Sequence, residues 1–122
     1  MVAYWWGFMS SRDKGKRGEL EIVNYYKQYG FDTVRTAPLQ AGFVEGAADV
    51  SGIPGFHIEV KRQEALNIWA ALAQAERDAP EGVVPTVHFR RNRSGWYVVL
   101  PIDAFVDLIL PGDGVDSPAS DK

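Results

Sequence analysis

Three charged side chains near the middle of the chain have the types and spacing to act together on a phosphate ester. Asp49 is followed, after a short connection containing Gly and Pro, by the run Phe56-His57-Ile58-Glu59-Val60-Lys61. The run alternates apolar and polar residues as a β-strand does, so Glu59 and Lys61 share one face of it. They would lie about 7 Å apart along the strand, at a rise of roughly 3.3 Å per residue. Two carboxylates for a hard cation, with an ammonium beside them, are typical of metal-assisted phosphodiester cleavage.

The same residues also have an interpretation without chemistry. Asp49 could cap a turn, while Glu59 and Lys61 could form a surface ion pair that contributes at most about 1 kcal/mol. A Glu-x-Lys pattern on a strand is common by chance, so the order of the surrounding elements has to decide between the two interpretations. His57 shares the face of Glu59 and is expected to pack or to support a ligand rather than to be one.

Length and composition are those of a single globular domain. The chain has 122 residues, 46% of them hydrophobic and 24% charged, which fits one modest core. The sequence contains no apolar run near the roughly 20 residues of a membrane-spanning helix and no signal-peptide pattern at its start. Cysteine is absent, which excludes disulfides and thiolate zinc sites. We therefore expect a cytoplasmic protein with no membrane partner.

The net charge of −3 hides a near-balanced main part of the chain. Residues 101–122 hold five acids and one base, which leaves 12 bases against 11 acids in residues 1–100. Local basic clusters, rather than the total charge, decide whether a phosphate backbone can dock. A solvated face is the alternative for each cluster. The candidate DNA contacts in these clusters are Arg12, Lys14, Lys16, Arg17, Arg62, Arg90, Arg91 and Arg93.

Hydrophobic periodicity and turn residues predict the element order α-β-β-β-α-β-β-α. The helices are predicted over 17–29, 64–78 and 101–110, and the strands over 31–36, 48–51, 56–61, 83–90 and 96–100. Residues 10–16 suit a loop. We expect an aromatic and basic arm over 1–13, a catalytic domain over 14–110 and a flexible acidic tail over 111–122.

Two of the predicted helices carry apolar residues that should face the core. In the second helix, Leu66, Trp69, Ala70 and Ala73 are expected on one buried face. In the third, the residues expected to be buried are Phe105, Val106, Ile109 and Leu110.

The order of elements and charged residues resembles that of the PD-(D/E)XK nuclease superfamily. An acid on the first helix precedes Asp49 on the second strand and Glu59-Val60-Lys61 on the third, and a helix follows. More narrowly, the chain is similar to the archaeal-type Holliday junction resolvases and their phage relatives, in which a basic segment leads into Gly-x-x-x-Glu. The segment Lys14-Gly15-Lys16-Arg17-Gly18-Glu19 matches that lead-in, which selects Glu19 over Glu21. The resemblance covers residues 12–78.

This resemblance implies an α/β, restriction-endonuclease-like fold with a central mixed β-sheet flanked by helices. It implies an endonuclease that uses Mg²⁺, with Mn²⁺ able to substitute. Asp49, Glu59, the Val60 carbonyl and Glu19 would hold the metal, and Lys61 would act on the attacking water. Gln74, on the second helix, would lie near the scissile phosphate.

The expected substrate is branched double-stranded DNA, most specifically a four-way junction. Two symmetric nicks resolve such a junction, and a chain this short has one active site, so we expect a homodimer. Its contact surface is left open between the third helix, the N-terminal arm and a face of the second helix. Arg35 matches an arginine-containing strand of the resolvases and is expected to contact DNA. Their usual serine is missing from Pro38-Leu39-Gln40-Ala41-Gly42, so that role is absent or falls to Gln40.

Two other functions remain open from the sequence. The chain could be a different nuclease of the same superfamily: a restriction-type, repair-nicking or exonucleolytic enzyme. It could also be a catalytically inactive DNA-binding module that retains the fold. The complete set of two acids and a lysine favours an active enzyme.

Overall fold

A mixed five-stranded sheet with helices packed against it organises the chain, in a computed structural model that describes residues 11–36 and 47–112. The strand order is β1-β2-β3-β4-β5; β3 and β4 are parallel and the other neighbours antiparallel. The elements are α1 Ser11–Lys27, β1 Val34–Arg35, β2 Val50–Ser51, β3 Phe56–Arg62, α2 Ile68–Asp78, β4 Val84–Arg90, β5 Tyr97–Val99 and α3 Ile102–Ile109. The predicted element order and α/β class are confirmed, and the topology is consistent with the restriction-endonuclease-like fold that the resemblance implies.

The central strand β3 separates two layers of the core. Its residues Ile58 and Val60 pack with Ile22 and Val23 of α1. The opposite face holds Glu59, whose neighbour across the parallel ladder is Val87 of β4. Val87 packs in turn with Ala71 and Ala75 of α2. Since both faces of β3 are covered, its polar residues His57 and Glu59 are as buried as its apolar ones.

Helix α1 begins earlier than its apolar pattern predicts. The loop predicted over residues 10–16 is wrong from Ser11 onward, because the helix already runs through this polar and basic segment. Lysine and arginine are good helix formers, and Asp13 in the first turn complements the positive end of the helix. The predicted stop is sound: a turn follows Lys27 and leads to Gly30, whose φ of 91° suits glycine. Strand β1, Val34–Arg35, is shorter than the strand predicted over residues 31–36.

Helix α2 starts later and buries a different face from the one predicted. Asn67 caps its N-terminus, since its side-chain oxygen accepts a hydrogen bond from the Ala70 N–H at 3.1 Å. The buried face consists of Ala71 and Ala75, with Leu72 packed beside them. Trp69 is 78% exposed, so its predicted place in the core is wrong. Small alanines let the helix lie close to β4, and the bulky Trp69 points away from that contact.

Helix α3 presents most of its apolar residues to solvent. Pro101 precedes its first residue, and Ala104 is the buried residue within Ile102–Ile109. The prediction that its large apolar side chains are buried is therefore wrong. Its exposed apolar residues, between 39% and 75% accessible, are Ile102, Phe105, Val106, Leu108, Ile109 and Leu110.

A close helix–sheet contact depends on Gly18. A Cβ at this position would lie 3.0 Å from the Cβ of Arg62 and 3.4 Å from the Trp96 ring. A larger residue would push α1 away from β3. Because α1 carries Glu19, this contact also sets how near that carboxylate comes to the end of β3.

Several predictions fall outside the described residues. They concern most of the aromatic arm over 1–13, the loop with Gln40, and the acidic tail beyond residue 112. Within the described ranges, no helix is long and apolar enough to cross a membrane.

Candidate active site

A cavity of about 560 Å³ lies where α1 meets the end of β3. Four of the predicted catalytic or metal-binding residues line it together: Glu19 from α1, Asp49 before β2, and Val60 and Lys61 from β3; Glu59 is not among the lining residues. Residues 63 and 64, which follow β3, form another part of its wall. The fold therefore brings Glu19 and Lys61, which are 42 residues apart in sequence, to one concave surface.

Backbone pairing fixes Asp49 beside β3. Its N–H donates to the Ile58 carbonyl at 3.0 Å, and its carboxylate Oδ2 accepts the Val60 N–H at 2.8 Å. These two contacts hold the carboxylate against the same stretch of strand that carries Glu59. The short connection between β2 and β3 is what allows this approach.

Glu59 lies in the layer between β3 and α2 and is 1% exposed. Its Oε2 is 2.6 Å from His57 Nε2, and its Oε1 accepts from Gln74 Nε2 at 3.5 Å. Burial, followed by the negative charge of Asp49, raises the pKa of Glu59 to about 8, although Lys61 opposes the shift. A buried carboxylate beside a second one is poorly stabilised by the chain alone and gains from a cation.

His57 and Gln74 position Glu59 from two sides. Burial lowers the pKa of His57, which favours the neutral ring at this hydrogen bond. Asp78, at the end of α2, adds a further negative charge that raises the pKa of both His57 and Glu59. Sequence reasoning missed Asp78, although its spacing of four from Gln74 places both on one face of a helix.

Glu19 reaches the cavity as part of an ion pair. Arg35 Nε donates to its Oε1 at 2.6 Å, and both side chains are largely buried. Burial raises the pKa of Glu19, whereas the hydrogen bond from Arg35 acts in the opposite direction. Arg35 was predicted as a DNA contact; the structure places it as the partner of Glu19 inside the protein.

The oxygen donors of this cavity fit a hard divalent cation. Among the described residues there is no cluster of three or more His, Asp or Glu side chains with metal-site geometry. Mg²⁺ needs fewer than three such side chains, because it commonly binds through one or two carboxylates and keeps several water ligands. Asp49, which lines the cavity, and Glu59, which is buried beside it, supply such a set together with the carbonyl of Val60, the residue after Glu59, and the repulsion between the two carboxylates is relieved by positive charge.

Glu21 organises a second group of charged residues, one of which, Arg62, also lines the cavity. Its Oε1 accepts from Arg90 Nη1 at 3.1 Å and from Trp96 Nε1 at 3.0 Å. Arg62 Nε lies 3.9 Å from Glu21 Oε2. Within the described residues, Nε and Nη1 of Arg62 are buried and have no hydrogen-bond partner. The group ties α1 to β3, β4 and β5, which no local sequence pattern indicates.

The remaining predicted DNA contacts differ in exposure. Lys14 is half-buried and lines the cavity. Arg91 and Arg93 are exposed at the turn between β4 and β5. Residues exposed along the first turns of α1 are Arg12, Lys16 and Arg17. Lys14 thus places positive charge in the cavity, and Arg91 and Arg93 place it on the hairpin; contact of all these residues with DNA stays a prediction.

Comparison with known proteins adds a structural similarity. No family model and no curated protein sequence matches the chain. Among solved structures, it is similar to Hjc, a Holliday junction resolvase from the archaeal hyperthermophile Archaeoglobus fulgidus, with 20% sequence identity and a TM-score of 0.48. The match covers 71% of this chain and 75% of that one. A similarity at this level carries no functional information, which has to come from the site itself.

Proposed function

We propose that this protein is a metal-dependent DNA endonuclease of the PD-(D/E)XK type. The observation that carries the proposal is that Asp49, just before β2, and Lys61, on β3, line one cavity and that both charges act on Glu59, which is buried beside them. Carboxylates placed so close together cost stability unless a cation offsets them. Lys61 acts to lower the pKa of both Glu59 and Glu19, and an ammonium group in this position suits a site that handles phosphate.

Each residue has a part that its position supports. Asp49, Glu59 and the Val60 carbonyl would hold Mg²⁺, with Mn²⁺ able to replace it. The bound ion would lower the pKa of a water and offset charge on the phosphate. Lys61 would hold the attacking water and neutralise a phosphate oxygen. Gln74 contacts Glu59 rather than the open cavity, so we assign it to positioning that carboxylate.

Glu19 would act from the opposite wall of the cavity. Its carboxylate is held by Arg35, which fixes its orientation and offsets its charge. In that position it can accept a hydrogen bond from a water in the cavity. A second metal ion is a weaker assignment for Glu19, because the arginine already provides the positive charge.

The proposed substrate is a four-way DNA junction, cut by two symmetric nicks. One chain supplies one cavity of this kind, so a second copy would supply the other. Of the three surfaces that the sequence leaves open for the dimer contact, we favour the α3 face because its apolar side chains are exposed. Apolar surface of this extent on one helix is typical of a protein contact, and a two-fold axis would let the same face cover itself.

The test is a parallel digest of a labelled four-way junction, a linear duplex and a single strand, with and without Mg²⁺. The wild type should nick the junction symmetrically and only with metal. Asp49→Ala and Lys61→Ala should still bind the junction but cut it on the order of a hundredfold more slowly. Glu76→Gln and Lys27→Met, both at exposed positions, serve as matched controls and should cut normally.

Three results would redirect the proposal. Cleavage by Lys61→Ala at the wild-type rate would contradict the assigned chemistry. Preferential cutting of linear DNA would point to another nuclease of the superfamily. Junction binding without cleavage in Mg²⁺ or Mn²⁺ would indicate an inactive DNA-binding module.

The dimer is tested separately by sedimentation. Ile109, 63% exposed on α3, is replaced by Glu, which places a charge in the proposed contact. The wild type should sediment as a dimer and Ile109→Glu as a folded monomer that makes unpaired nicks. A wild type that stays monomeric when bound to the junction would contradict the proposal.

A further inference from the structure

A second cavity adjoins the candidate active site across residues 63 and 64. It measures about 330 Å³ and shares Gln63 and Glu64 with the wall of the catalytic cavity. Its other lining residues come from the β3–α2 connection and the β4–β5 hairpin: Leu66, Phe89, Arg90, Arg91, Ser94 and Tyr97. We call this the hairpin groove. A DNA strand leaving the catalytic cavity on this side would enter it.

An exposed aromatic surface forms the floor of the hairpin groove. Tyr97 is 64% exposed, although a tyrosine on a strand would ordinarily bury more of its ring. Its ring centroid lies 6.0 Å from that of Phe89, with 31° between the ring planes. Phe89 is half-buried and packs against the core cluster beneath α2, so it supports Tyr97 while most of the Tyr97 side chain stays exposed.

An exposed arginine, Arg91, lines the groove beside that aromatic surface. Arg91 is exposed at the edge of the groove, and Arg93 is exposed two residues further along the turn. The charge of Arg90 is countered by Glu21. Glu64 is the acid in the groove, and its Oε2 accepts the Asn92 N–H at 2.7 Å. The groove thus offers arginine to an anion and an open ring to a planar group.

The hairpin turn is held in one shape before any ligand binds. Ser94 Oγ accepts the Arg91 N–H at 3.1 Å and donates to the Arg91 carbonyl at 3.0 Å. Arg93 adopts a φ of 65°, and the contact between Asn92 and Glu64 ties the turn to the β3–α2 connection. Binding here would cost little ordering of the protein.

We propose that the hairpin groove binds an unpaired nucleotide of the DNA substrate, with its base stacked on Tyr97 and its phosphate at Arg91. The proposal rests on the proposed nuclease function and extends it. An aromatic ring can stack on a base only where the face of that base is free, which a continuous duplex does not provide. Such a groove beside the catalytic cavity would favour DNA that is opened at a branch, gap or end over fully paired DNA.

The test measures binding in EDTA, so that cleavage plays no part. The probes are a duplex with a short single-stranded gap, carrying 2-aminopurine at an unpaired position, and a fully paired duplex of the same length. Wild-type protein should quench the unpaired 2-aminopurine. Tyr97→Phe, which keeps an aromatic ring, should quench the 2-aminopurine as the wild type does. Tyr97→Ala should lose the quenching and bind gapped DNA on the order of tenfold more weakly, with binding to paired duplex unchanged.

A second variant tests the phosphate contact. Arg91→Ala should weaken binding to gapped DNA and reduce the dependence of binding on salt by about one released ion. Arg77→Ala, an exposed arginine on α2, is the control and should keep the wild-type salt dependence. The thermal unfolding curve of each variant confirms that it is folded.

The outcomes separate this proposal from the nuclease assignment. If the protein cleaves junctions but neither quenching nor gapped-DNA binding depends on the ring of Tyr97, the groove proposal is overturned and the nuclease assignment stands. If Tyr97→Ala loses gapped-DNA binding but no DNA is cut in Mg²⁺, the groove proposal stands alone. A change of oligomeric state in Tyr97→Ala would instead assign this ring to a protein contact and overturn the groove proposal.

Discussion

The buried carboxylate of Glu59 makes a prediction about stability that does not depend on catalysis. Replacing it by Gln keeps the size of the side chain and its contact with His57 but removes a charge that burial and Asp49 disfavour. In the metal-free wild type, the free energy of unfolding should fall as the pH rises through the neutral range. In Glu59→Gln that part of the pH dependence should disappear.

The sign follows from where the proton is held. The pKa of Glu59 is about 8 in the folded protein and has an ordinary value of 4.5. Between these values the unfolded chain releases a proton that the folded protein keeps, so rising pH favours unfolding. Each pH unit of that window costs at most about 1.4 kcal/mol, and the whole window up to about 5 kcal/mol. This is comparable to the total stability of a small domain.

The assay is urea denaturation at a series of pH values, in EDTA and again with excess Mg²⁺. Excess Mg²⁺ should restore stability to the wild type at high pH, because a ligand of the folded state stabilises it, and should do much less for Glu59→Gln. Glu76→Gln, at an exposed position on α2, is the control and should follow the wild type. Parallel pH profiles for the wild type and Glu59→Gln would refute this reasoning.

Two further predictions concern packing. Gly18→Ala should lower stability by about 1 to 3 kcal/mol, because its Cβ would meet Arg62 at 3.0 Å. Gly15→Ala in the same helix, with nothing within 4 Å, should raise it by about 0.5 to 1 kcal/mol; urea denaturation compares them, and equal effects would contradict the contact. Burial lowers the pKa of His88 to about 4, so NMR should show no titration of its ring from about pH 5 to 8. Tyr26→Phe, which removes its hydroxyl partner, should cost about 1 to 3 kcal/mol, and no loss would mean that the hydrogen bond is unimportant.

Strand β3 and the position of Asp49 beside it were predictable from the sequence because their signals are local. The alternation around Glu59 and Lys61 required a strand, and the turn after Asp49 required its neighbour. Antiparallel pairing then placed Asp49 beside β3. The order of helices and strands left few alternative ways to pair the strands in one sheet.

Which face of each helix is buried was less predictable, because burial depends on the surface against which the helix packs. The pattern around Trp69 allowed more than one buried face, and the choice was made by the close approach of Ala71 and Ala75 to β4. The apolar side chains of α3 look like core residues in sequence, yet within the described chain nothing covers most of them. An apolar pattern indicates that a helix face is suited to burial, but it does not show whether the same chain or a partner covers that face.

Long-range charge contacts were beyond sequence reasoning for a different reason. Glu21 is separated from Arg90 by 69 residues and from Trp96 by 75. Nothing in the local spacing distinguishes it from a solvated helix acid. The resemblance could choose Glu19 over Glu21 for the site, but it could not show that Glu19 is paired with Arg35 or that Glu21 binds three other elements.

The central claim is that a divalent ion is held between Asp49 and Glu59, and direct titration of Mn²⁺ into the protein by calorimetry tests it. The wild type should bind Mn²⁺, and Asp49→Asn should weaken that binding by at least on the order of tenfold. Glu76→Gln, an exposed acid outside the cavity, should bind as the wild type does. Equal Mn²⁺ affinity in the wild type and Asp49→Asn would contradict the account.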